Sequence, residues 1–128
     1  MDLLKLDASK MEKAMVDHIV ANSAYTSVYA GHRNMANNPV GGNMIYCNAP
    51  VDVLDKVAMA KTTMRIELYV KKSSGFKNIL GLTAIRDVVV ALLPVKLGDY
   101  YYDYISEISG QDDANYDFIF INLHVIIS

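Results

Sequence analysis

Between Ala58 and Lys71 the chain alternates with period two. Even positions are Ala58, Ala60, Thr62, Met64, Ile66, Leu68 and Val70, and odd positions are Met59, Lys61, Thr63, Arg65, Glu67, Tyr69 and Lys71. Successive side chains of a strand point to opposite faces, so this pattern predicts one long strand with a buried face and a wet face. Ser73-Ser74-Gly75 ends it. A strand of this length needs partners in a sheet and a layer to cover its apolar side. The 128 residues, 52% of them hydrophobic and 20% charged, suffice for a single domain (1–128) with one core.

The other elements follow from local signals. Ser9-Lys10-Met11-Glu12 has capping-box spacing, and Met11, Met15 and Ile19 recur every four residues behind it, which predicts a helix ending near Asn22-Ser23. Residues 26–30 and 43–48 read as short strands around a turn-rich loop, His32 to Gly42. Residues 76–93 place Leu82, Ile85, Val89 and Leu92 on one helical stripe before Pro94. That helix is apolar nearly all round and should be covered on more than one side. Residues 99–109 and 116–127 read as two strands joined by an acidic turn. Both faces of the last strand are partly apolar, as in a central strand or one covered by a neighbouring subunit. The expected fold is α+β, an antiparallel sheet with two helices packed on it.

The chemistry expected of this chain is sparse. His18, His32 and His124 fall on a helix, a loop and a strand, without metal-ligand spacing. His18 reads as solvated and His124 as an interior or interface histidine. Cys47 permits no internal disulfide and reads as a small buried hydrophobe. No nucleophile elbow or phosphate loop occurs, so no enzyme activity, cofactor or metal is expected. The net charge of −2 argues against a protein that grips DNA through its phosphates. The interrupted apolar stretch at the N-terminus is unlike a secretory signal, and no run is long enough to span a membrane, so a soluble intracellular chain is expected. In the run Tyr100-Tyr101-Tyr102-Asp103-Tyr104, Tyr100, Tyr102 and Tyr104 share one face of a strand and Tyr101 takes the other. Tyrosine favours strands and also subunit interfaces.

Taken in order, these elements resemble the tail-terminator or tail-completion proteins of tailed bacteriophages, across nearly the whole chain. The likeness is carried by the S-x-x-E helix start, the strand pair around a Gly/Asn loop, and the alternating strand Thr63 to Val70. It continues through the helix ending in residues 85–93, the tyrosine-rich strand, the turn at Asp112-Asp113 and the closing strand. The resemblance implies a structural virion protein of the head–tail neck, assembled in the host cytoplasm. It implies a homo-oligomeric ring, a hexamer or dodecamer, between portal or connector and tail proteins, with DNA passing through the lumen unheld. Arg65, Glu67, Tyr69, Tyr101, Asp112, Asp113 and His124 are then the candidate subunit-interface or lumen residues. The competing reading is a small α+β ligand-binding or regulatory domain that dimerises through its sheet, with a pocket near Tyr69, Tyr101 and His124.

Overall fold

In a computed structural model of the protein, which describes residues 7–33, 42–49, 61–111 and 115–127, the alternating segment is strand β3 (Lys61–Lys71). The first three positions of the alternation, most of the turn-rich loop, and both Asp112 and Asp113 lie outside the described residues. Around β3 stand α1 (Ala8–Asn22), β1 (Val28–Ala30), β2 (Asn43–Asn48), α2 (Ile79–Val90), β4 (Val95–Leu97), β5 (Tyr100–Gln111) and β6 (Tyr116–Ile127). The strands form one six-stranded sheet in the order β1-β2-β3-β6-β5-β4, and the fold is α+β.

The sheet is mixed, where an antiparallel one was expected. β1 runs parallel to β2, with Val28 opposite Ile45 and Ala30 opposite Cys47, while every other neighbouring pair is antiparallel. The reason lies in residues 31–42, which join the two strands: about a dozen residues are what a parallel connection needs, whereas a hairpin closes in far fewer. β6 is central, held between β3 and β5; Ile121, Leu123 and Val125 on one face join the core under the helices, and Phe118 and Phe120 on the other pack on a second buried cluster.

The helices cover one face of the sheet, α1 over β1 and β2, and α2 over β3 and β6. Met11, Met15 and Ile19 of α1, and Leu82, Ile85 and Val89 of α2, are buried against Ile45, Cys47, Met64, Ile66, Leu68, Val70, Ile121, Leu123 and Val125. The N-terminus of α1 differs from the expected capping box. Asp7, in an extended backbone, caps the helix by accepting from the Lys10 amide at 3.1 Å. With the cap at Asp7, two residues before the expected Ser9, Glu12 is released to accept from the Ala49 amide at 2.8 Å, which ties α1 to the end of β2.

The second helix is shorter than its apolar pattern. Ser73 and Phe76 pair as a β-bridge, Asn78 caps the helix at the Gly81 amide, and Val90 ends it. It is also covered on one side only: Leu80 is 86% exposed, and Phe76 and Ile79 stand in solvent beside it. Hydrophobicity all round therefore does not mean burial all round here. β4 was not foreseen. It folds back on Tyr100 to Tyr102 through a tight turn in which Gly98 takes a φ of 62°, a left-handed value suited to glycine.

Candidate functional site on the helix-free face of the sheet

The register of the strands sorts the helix-free face into transverse rows. Met44, Tyr69, Phe118 and Gly110 make one row, and Tyr46, Glu67, Phe120 and Ile108 the next. Then come Asn48, Arg65, Asn122 and Ser106, followed by Thr63, His124 and Asp103, and by Lys61, Ile126 and Tyr101. The face thus grades from aromatic at one end to polar at the other. Arg65, Glu67, Tyr69, Tyr101 and His124, all candidates from the sequence, lie on it.

At the aromatic end, Met44, Tyr46, Tyr69 and Tyr116 form a second buried cluster, with Tyr29, Phe118 and Phe120 packed on it. The Tyr46 and Tyr69 rings meet edge-on at 5.9 Å, and Phe118 stacks on Phe120 at 4.1 Å. The Arg33 guanidinium lies 4.7 Å from the centre of the Tyr116 ring and 5.4 Å from that of Tyr69, a cation held by π faces.

Glu67 corrects the sequence reading. It was expected on a wet face, yet it is 1% exposed. Its Oε2 accepts from Arg65 Nε at 3.1 Å and lies 3.0 Å from Arg65 Nη2, and its Oε1 accepts from the Tyr69 hydroxyl at 2.9 Å. His32 Nδ1 stands 3.7 Å away at the rim. Tyr69 is buried as well. A buried carboxylate requires such partners, and Arg65, Glu67 and Tyr69 supply them within one strand at i, i+2 and i+4. The Arg65 guanidinium is further fixed 4.3 Å above the Phe120 ring.

The register does not bring Tyr69 together with His124, near which, with Tyr101, a pocket was expected. Tyr69 is opposite Phe118, six residues along β6 from His124, a separation of about 20 Å. A cavity on this face lies between those points. It measures about 220 Å³ and is lined by Asn48, Thr63, Met64, Arg65 and Asn122. Asn48 Nδ2 is 3.3 Å from His32 Nε2, and Asn122 Nδ2 donates to Ser106 Oγ at 3.2 Å. Sequence reasoning passed over Asn48, Thr63 and Asn122 because they come together only through cross-strand register.

Two further surfaces stand out. β4 pairs only with Tyr100 to Tyr102, so the outer edge of β5 beyond Tyr102 has no strand partner among the described residues. Ile108 on that edge is 60% exposed, and Ile105, at a bulge between Tyr104 and Ser106, is exposed too. The second surface is Phe76, Ile79 and Leu80 at the start of α2, with Lys77 exposed next to Phe76.

Cys47 is buried on the helix side of the sheet, as expected of a small hydrophobe. Burial, reinforced by the carboxylates of Glu12 and Glu67, pushes its thiol far above the ordinary range, the reverse of an activated nucleophile. His18 is half-buried, with Nδ1 3.2 Å from Asn22 Nδ2. Among the described residues no group of three His, Cys, Asp or Glu is placed to hold a metal ion, and no helix is long and apolar enough to cross a membrane.

No protein-family model matches this chain, and no curated protein matches it. A solved structure superposes on it with a TM-score of 0.56 at 15% identity, over 94% of this chain and 92% of its own. At that identity the likeness is one of fold.

Proposed function

We propose that this chain is a structural subunit of a tailed-phage neck, which assembles into a tail-terminator-type ring in the virion and lets DNA pass through its lumen. The observation that carries this reading is a pair of exposed apolar surfaces at different places on a small domain: Phe76, Ile79 and Leu80 on α2, and Ile105 and Ile108 on the open edge of β5. A ring closes through heterologous contacts, in which one patch of a subunit meets a different patch of the next. The order of helices and strands supports the same assignment.

The open β5 edge also favours a competing reading, a two-fold dimer in which β5 pairs with its own copy. Native mass spectrometry separates the two. The ring reading expects closed species larger than a dimer, lost in both Leu80→Asp and Ile108→Asp. A dimer that Ile108→Asp breaks and Leu80→Asp leaves intact would replace it with the regulatory-domain reading.

A further inference from the structure

We propose that the polar cavity between β2, β3 and β6 is a binding site for a single carboxylate, the side chain of an aspartate or glutamate presented by a partner polypeptide. The inference does not rest on the ring: a monomer can carry this site.

The geometry begins at Arg65. Glu67 occupies the Nε–Nη2 edge of its guanidinium, and the Phe120 ring lies beneath it, so the group is fixed before any ligand arrives. The remaining fork, Nη1 with the outer N–H of Nη2, has no partner among the described residues, and Arg65 lines the cavity. A planar fork of parallel N–H donors matches a carboxylate in bidentate geometry. Around it, the two asparagines spend their Nδ2 groups on His32 and Ser106, which leaves amide oxygens at Asn48 and Asn122 to accept main-chain N–H groups, and the Thr63 hydroxyl can do either. An acceptor-rich rim around a donor fork suits a peptide that carries an acid.

Size and charge narrow the ligand. At about 220 Å³ the cavity is below the roughly 300–1,000 Å³ of sites for drug-sized molecules, and one acidic side chain is the right scale. The buried Glu67 carboxylate directly behind Arg65 offsets most of its charge, so the site holds an acid by its directed N–H donors rather than by net charge, which disfavours a phosphate dianion more than a carboxylate.

The test is a titration of the intact protein with acetyl-Gly-Glu-Gly-amide, with its Gln counterpart and with inorganic phosphate, followed by the NMR signal of Arg65 Nε–H. The Glu peptide should saturate in the millimolar range, at least tenfold tighter than the Gln peptide or phosphate. Arg65→Lys keeps a charge against Glu67 but not the fork, and should lose tenfold or more. Should that variant fail to fold, Thr63→Val and Asn122→Ala leave the Arg65–Glu67 pair untouched and should each weaken binding about threefold, about 0.7 kcal/mol. Equal binding of the Glu and Gln peptides, phosphate competing as well as the Glu peptide, or no saturable shift by about 10 mM would overturn the proposal. Carboxylate binding by a protein that forms no ring would retain this site and refute the ring.

Discussion

The hydroxyl of Tyr102 donates to the main-chain carbonyl of Met11 at 2.9 Å. Tyr102 is on β5 and Met11 on α1, whose sheet contacts are β1 and β2 at the far side of β3 and β6. One tyrosine can bridge these elements because the sheet curls around the helix. Tyr102→Phe removes the bond and keeps the ring, and should cost about 0.5–1.5 kcal/mol. Tyr102→Ala also empties a fully buried site and should cost about 3–5 kcal/mol. Urea denaturation of the two variants checks both figures.

The alternation of β3 gives a paired test. Leu68 is fully buried, and Leu68→Ala should cost roughly 2–5 kcal/mol. Lys71 is exposed at the end of the same strand, and Lys71→Ala should stay within about 0.5 kcal/mol. Equal losses in denaturant melts would contradict the facing of the strand.

Part of this was legible in the residues and part was not. β2 occupies 43–48 as expected, and Tyr100, Tyr102 and Tyr104 do face the helices, because period two is a local property. Glu67 was misplaced because hydropathy assigns a charge to water. The same-face spacing of Arg65, Glu67 and Tyr69 was the available sign that the charge carries its own partners. The row Asn48, Arg65, Asn122, Ser106 draws on four strands, and no pattern within one strand encodes the register between them. β4 is three residues long, too short to show a period.

Lys72 and Asp117 form a buried ion pair, Nζ to Oδ1 at 2.8 Å, with side chains 12% and 5% exposed. Asp117 Oδ2 has no hydrogen-bond partner among the described residues, so Lys72 is its chief compensation. Lys72→Ala strands the carboxylate and should cost about 3–5 kcal/mol, while the double variant Lys72→Met with Asp117→Leu should recover much of the loss. A thermodynamic cycle of the single and double variants measures it.

Glu107 makes stability depend on pH. Arg86 donates to its Oε1 from Nη2 at 2.6 Å and from Nε at 3.0 Å, and the Tyr104 hydroxyl adds a bond at 2.9 Å. The Arg86 bonds first, then that from Tyr104, hold the carboxyl below its usual 4.5 against the opposing effect of burial. A depressed carboxyl stabilises the fold above its unfolded value and loses that contribution as pH falls through the folded one. The stability gap between wild type and Glu107→Gln should therefore be constant near neutrality and close below about pH 4.5. Urea melts in fixed salt from pH 7 down to 3 test this, and a gap that widens in acid would contradict it.

Duplex DNA should not bind. Twelve Lys and Arg face fourteen Asp and Glu, and the Arg65 and Arg86 side chains are paired with carboxylates. In fluorescence anisotropy at about 150 mM salt, where non-specific binders show dissociation constants of roughly 10⁻⁴–10⁻⁶ M, no saturable change is expected at micromolar protein. Saturation there would exchange a passive conduit for a protein that grips DNA.

The central place of β6 has a consequence for how the chain is made. A ribosome delivers this strand after all the others, yet it is the strand that joins them: without it, β1-β2-β3 and β4-β5 are two separate ribbons with no hydrogen bond between them. Nascent protein therefore holds an open, apolar edge along β3 from the making of that strand until β6 follows it, the kind of surface on which chaperones act and aggregates begin. Translation speed ahead of β6 should then govern how much protein reaches the folded state, even with every residue unchanged.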